Sequence, residues 1–126
     1  MGIHELYIKT HFSAAHFLRG YDGDCARMHG HNWNVEVYIR CSQLNEIGIG
    51  VDFKVIKSAV KALIGRLDHQ NLNEIPPFIE INPTSENLSV YLYRELKNRI
   101  DSENVRISKI KISETDSAGS TYWEED

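Results

Sequence analysis

Trp33-Asn34-Val35-Glu36-Val37-Tyr38-Ile39-Arg40-Cys41 carries the clearest structural signal in the chain. Its odd positions are apolar and its even positions mostly polar, the period-two pattern of a strand with one buried face. Cys41 falls on the apolar side and reads as a core residue. Residues 5–16 form an earlier strand, with Leu6, Ile8 and Phe12 on one face and a looser alternation. Gly20-Tyr21-Asp22-Gly23-Asp24 is turn chemistry and joins the two.

Downstream, Ile56, Ala59, Val60, Leu63, Ile64 and Leu67 fall at i, i+3, i+4, i+7, i+8 and i+11, one face of a helix. Asp52 stands before it as an N-cap, and Leu67-Asp68-His69 closes it. Pro76-Pro77 marks a loop. Thr84 or Ser85 caps a second helix that runs to about residue 100, with Leu88, Leu92 and Leu96 on one stripe. Two further strands follow near 105–114 and 119–124. The predicted order is β-β-α-α-β-β, an α+β fold with an antiparallel sheet and two helices on one face.

A chain of 126 residues suits one domain, taken as 1–126. With 41% hydrophobic and 25% charged residues its composition is that of an ordinary globular domain. Met1-Gly2-Ile3-His4-Glu5 lacks the basic start and apolar run of a signal peptide, and no stretch resembles a membrane span, so a cytoplasmic protein is expected. A net charge of -4 argues against a general nucleic-acid surface. Two cysteines, Cys25 and Cys41, are too few for a disulfide framework.

His29-Gly30-His31 is the sharpest chemical feature. If the second strand begins there, both imidazoles point to the side of Trp33, Val35 and Val37. His16 ends the neighbouring strand, so three neutral imidazoles can converge as the ligands of a catalytic zinc with an open fourth position. Alternating histidines also occur as plain surface residues, and His4 and His11 are assigned that way. Cys25 allows two readings, a fourth ligand or a thiolate held near the metal and free to react.

A second constellation is Asp68-His69, which can serve as an orienting carboxylate and a proton acceptor, or be no more than a helix C-terminus. On the strand near 105–114, Ser108, Ile110, Ile112 and Glu114 are read as sharing one face. A carboxylate ending an apolar face is costly unless paired or at a rim, and Glu114 can accept hydrogen bonds from an amidine-like ligand edge or reach water. Glu86 in a first helical turn reads as ordinary capping.

Taken together, Phe12-Ser13-Ala14-Ala15-His16, Cys25-Ala26-Arg27-Met28-His29-Gly30-His31, Val51-Asp52-Phe53, Leu67-Asp68-His69-Gln70-Asn71-Leu72-Asn73, Asn82-Pro83-Thr84-Ser85-Glu86-Asn87 and Glu114-Thr115 resemble the 6-pyruvoyl- and 6-carboxy-tetrahydropterin synthase family. The resemblance covers almost the whole chain, and its specificity lies in order and spacing. It implies a tunnelling fold (T-fold) assembled as a homohexamer, a dimer of trimers, with sites between subunits. It implies zinc on His16, His29 and His31, a proton-transfer set of Cys25, Asp68 and His69, and Glu114 as anchor of a pterin. Thr84 and Ser85 are expected to line that pocket.

Three residues between Cys25 and His29, and Ala118-Gly119 after Glu114-Thr115, look like the bacterial 6-carboxy branch of queuosine (7-deazapurine) biosynthesis. Asp116-Ser117 departs from the pattern and has no assigned role. The implied reaction converts 7,8-dihydroneopterin triphosphate to 6-carboxy-5,6,7,8-tetrahydropterin, triphosphate and acetaldehyde. Arg27 either contacts the triphosphate or is an unrelated exposed side chain. The competing readings are the 6-pyruvoyl reaction without C–C cleavage and a non-catalytic zinc-stabilised binding module.

Overall fold

The computed structural model describes residues 2–125. Seven elements follow in order: β1 (His4–His16), β2 (His29–Cys41), α1 (Phe53–Ile64), β3 (Gln70–Asn71), α2 (Ser85–Ile100), β4 (Val105–Thr115) and β5 (Ala118–Tyr122). The sheet order is β3-β1-β2-β4-β5. β1 and β2 pair antiparallel along their whole length, from His4 opposite Cys41 to His16 opposite His29.

The alternation in β2 is realised fully. Trp33, Val35, Val37, Ile39 and Cys41 are buried, as are Ile8, Phe12, Ala14 and His16 of β1. Ile56, Val60 and Leu63 of α1 and Leu88, Leu92 and Leu96 of α2 join them in one core, so both helices cover the same sheet face. Each such side chain contributes ~1.5–3 kcal/mol when fully buried. Asp52 caps α1 by accepting from the Lys54 amide at 2.9 Å, and Thr84 caps α2 by accepting from the Asn87 amide at 3.1 Å.

Three expectations are corrected. The sheet is mixed, because β3 runs parallel to β1, pairing Gln70 with Ala14 and Asn71 with Ala15. Two residues are too few to display a period, so β3 left no pattern in the sequence. Helix α1 stops at Ile64 rather than at His69. Tighter turn bonds, Arg66 N–H to the Leu63 carbonyl and Leu67 N–H to the Ile64 carbonyl, still turn Leu67 into the core. Ser108 does not share a face with Ile110: a bulge opposite Tyr38 and Ile39 adds one residue to β4. Ile107 is therefore buried, while Ser108 donates to Glu5 Oε2 on the outer face at 2.6 Å. Asp116 and Ser117, which the sequence left without a role between the last two strands, form the two-residue turn joining β4 and β5, where Asp116 accepts from Asn34 Nδ2 at 3.3 Å.

Candidate metal centre

His16 and His29 are direct cross-strand partners, and His31 lies opposite Ala14. Strand alternation turns all three rings to the buried face, at the end of the sheet where the apolar core stops. Ring centroids lie 4.5 Å apart for His16 and His29, 5.1 Å for His16 and His31, and 4.9 Å for His29 and His31. One potential ligand atom from each falls within 4.8 Å of the others. Trp33 forms the floor, its ring 4.9 Å from His16 and 5.2 Å from His31. Trp33 is itself fixed by donating from Nε1 to the Ala14 carbonyl at 3.3 Å and by stacking on Phe12.

Backbone carbonyls choose the tautomers. His16 Nδ1 lies 2.8 Å from the Pro83 carbonyl oxygen, and His29 Nδ1 lies 2.7 Å from that of Arg27. A carbonyl only accepts, so each Nδ1 carries the proton and each Nε2 presents a lone pair. The Nε2 atoms of His16 and His31 are buried without any hydrogen-bond partner, a costly state for a polar atom unless something binds it. Burial holds His16 and His31 below the ordinary histidine pKa; the neighbouring imidazoles add to this, and Glu114 opposes it. Burial thus favours the neutral imidazole at His16 and His31, the form whose free Nε2 lone pair can bind a metal cation. The residues fit a metal.

Cys25 is not among the clustered ligand atoms. It lies half-buried in a 3₁₀ turn, Asp24–Ala26, whose Cys25 carbonyl accepts from the Leu18 amide at 2.8 Å. Glu114 lies at the cluster, with Oε2 3.8 Å from His31 Nε2. The Arg27 side chain is exposed, and its contribution to the cluster is the carbonyl that holds His29. Thr84 and Ser85 directly follow Pro83, the partner of His16. The Thr84 hydroxyl is engaged in capping, and the buried Ser85 hydroxyl donates to Glu86 at 2.9 Å. His4 and His11 are exposed and stand apart, and Cys41 is a core residue packed at Gly50.

Asp68 and His69 are pinned to β1. Asp68 Oδ1 accepts from the Ser13 amide at 3.0 Å and sits 3.0 Å from His69 Nδ1. The His69 amide donates to the Ser13 carbonyl at 2.6 Å. His69 has φ 61°, a left-handed backbone that costs a non-glycine residue ~1–2 kcal/mol, and the Ser13 bonds hold it there. The Ser13 amide, with His69 beside it, keeps the Asp68 carboxyl below its ordinary range. An open groove of about 530 Å³ is lined by both His31 and His69, together with Ser13, Ala15, Gly30 and Asn71. The carbonyls of Pro83 and Arg27 were invisible to sequence reasoning, since backbone groups carry no side-chain signature.

The family model described as 6-pyruvoyl tetrahydropterin synthase matches residues 5–125. A Synechocystis protein named 6-carboxy-5,6,7,8-tetrahydropterin synthase is 33% identical over 97 residues, covering 73% of this chain and 74% of the relative. A Bacillus subtilis protein of the same name is 33% identical over 102 residues, covering 77% of this chain and 68% of that one. In three dimensions the chain is similar to Caenorhabditis elegans 6-pyruvoyl tetrahydropterin synthase, with a TM-score of 0.88 at 27% identity over 99% of this chain and 98% of the other. Among the described residues no helix is long and apolar enough to cross a membrane.

Proposed function

The chain belongs to the 6-pyruvoyl tetrahydropterin synthase family, and from that premise we propose that it is a zinc-dependent lyase. Its substrate would be 7,8-dihydroneopterin triphosphate, and its products 6-carboxy-5,6,7,8-tetrahydropterin, triphosphate and acetaldehyde. The observation that carries this reading is the pair of buried, partnerless Nε2 atoms on His16 and His31, with the Glu114 carboxylate beside them. The 6-carboxy product is favoured by the names of the relatives at 33% identity and by the three-residue spacing from Cys25 to His29.

His16, His29 and His31 would hold the zinc, whose bound form supplies Lewis acidity toward oxygen atoms of the substrate side chain. Cys25, as thiolate, removes a side-chain proton. His69 exchanges a second proton, with Asp68 orienting its ring. Glu114 accepts from the pterin 2-amino and N3 edge, Thr84 and Ser85 line that pocket, and Arg27 meets the triphosphate. Triphosphate leaves by elimination, and a water molecule then adds to the side-chain carbonyl next to the pterin ring, so that cleavage of the adjacent C–C bond leaves that carbon as the carboxylate and releases the other two carbons as acetaldehyde. The reading places the single domain 1–126 in the cytoplasm as a homohexamer, a dimer of trimers, in 7-deazapurine (queuosine) biosynthesis.

The test is incubation of zinc-loaded protein with 7,8-dihydroneopterin triphosphate, followed by mass analysis. A 6-carboxy pterin with acetaldehyde supports the proposal. A 6-pyruvoyl pterin without acetaldehyde would assign the sister reaction carried by the name of the nematode structural relative. An untouched substrate, with four protein ligands closing the zinc, would make the chain a binding module.

A further inference from the structure

After His16 the chain leaves β1, yet the next three residues keep a strand-like alternation of hydrogen bonds with no strand beside them. The Phe17 amide donates to Asn73 Oδ1 at 2.9 Å, and the Phe17 carbonyl accepts from Asn73 Nδ2 at 3.0 Å. Two residues on, the Arg19 amide donates to Asn82 Oδ1 at 2.9 Å, and the Arg19 carbonyl accepts from Asn82 Nδ2 at 2.9 Å. A side-chain amide offers an acceptor and a donor in one plane, as a peptide group does, so each asparagine stands in for one rung of a ladder.

Leu18, between the two clamped residues, bonds to a different segment: its amide donates to the Cys25 carbonyl at 2.8 Å. The turn that carries the thiol therefore hangs from a backbone fixed on both flanks by asparagines.

Both clamps are themselves braced. Asn73 is buried, and its amide donates to Asn71 Oδ1 at 3.1 Å. The Asn82 carbonyl accepts from Asn87 Nδ2 at 2.8 Å and from the Thr84 amide at 2.9 Å. Pro83, next to Asn82, holds His16. The Asn82-Pro83 stretch thus holds the imidazole cluster through Pro83 and, through Arg19, the backbone to which the Cys25 turn is bonded.

We propose that Asn73 and Asn82 are positioning residues whose amide clamps set the Cys25 thiol against the imidazole cluster. The inference rests on Cys25 being the reacting thiol. Breaking a clamp moves the thiol without removing a metal ligand, so chemistry suffers while substrate binding persists.

The test compares zinc-loaded wild type with Asn82→Ala and Asn82→Asp; the latter keeps the acceptor for the Arg19 amide and loses the donor. Turnover is read beside the rate of Cys25 alkylation by iodoacetamide across pH, located by peptide mapping because Cys41 is a second, buried thiol. In Asn82→Ala, kcat should fall about 10²-fold with KM within about twofold, while Cys25 alkylation rises about fivefold, and Asn82→Asp should lie between. A folded Asn82→Ala with wild-type kcat and wild-type alkylation overturns the proposal.

Should the variant not fold, amide hydrogen exchange on the wild-type protein decides. Protection at Phe17 and Arg19, the amides held by Asn73 and Asn82, comparable to β1 supports the clamps, and exchange at the rate of free loops rejects them. Full turnover by Cys25→Ala would remove the catalytic role of the thiol, whereas the alkylation and exchange readouts would still judge the clamps.

Discussion

His16 Nδ1 lies 2.8 Å from the carbonyl oxygen of Pro83, a residue 67 positions further along the chain. That bond occupies Nδ1 and leaves Nε2, unpartnered, as the ligand atom of His16, the most buried member of the cluster. Replacing His16 with alanine should lower Zn²⁺ affinity by more than the ~10–100-fold typical of losing an outer-shell partner. Isothermal titration measures this; an unchanged affinity would mean that the cluster is not the metal site.

Cys25 lies outside the group of clustered ligand atoms. Cys25→Ala should therefore bind zinc with wild-type stoichiometry and lose ~10²–10⁴-fold of turnover, the usual worth of a positioned acid or base. Metal analysis beside a turnover assay separates the cases. Lost zinc with retained activity would identify a ligand and not a reacting thiol.

The Asp68 carboxyl is held below its ordinary value of 3.8, chiefly by the Ser13 amide and further by His69. A depressed carboxylate binds fewer protons in the folded chain than in the unfolded one, so its contribution is complete above 3.8 and is lost as pH falls through the lower folded value. Asp68→Asn keeps an acceptor for Ser13 but has no charge to titrate. The stability gap between wild type and this variant, followed by urea denaturation at decreasing pH, should therefore close in acid. A gap constant from neutral pH to about pH 2 would contradict the assignment.

Gly119 faces Ser113, the residue before Glu114. A Cβ there would collide with the Ile112 carbonyl oxygen and stand 2.7 Å from Ser113 Cα, both backbone atoms. Gly119→Ala must push β5 from β4, and overpacking of this kind costs ~1–3 kcal/mol. Urea midpoints would register the loss, and Glu114 should be displaced with the strand. A variant as stable as wild type would show that the hairpin yields freely.

Legibility followed the range of the interactions. β2 was readable because alternation repeats over nine residues from Trp33 to Cys41, and α1 because its stripe has Asp52 in front of it. Ser108 was misplaced because a bulge shifts parity by one residue, which no local pattern announces. The end of α1 was misplaced because Leu67 stays in the core after the helix has stopped, so the apolar stripe outlasts the hydrogen bonding.

The sequence by itself determined which chemical groups are on hand: three histidines at strand parity, a cysteine four residues before His29, and the adjacent Asp68-His69. Such facts are local, since alternation alone sends His29 and His31 to one face. Only the tertiary structure decided which ring nitrogens are free, that Glu114 stands 3.8 Å from His31, and that Cys25 hangs from a backbone clamped by Asn73 and Asn82. Those relations run through backbone carbonyls and amides, which every residue carries alike and which are selected only when distant segments meet.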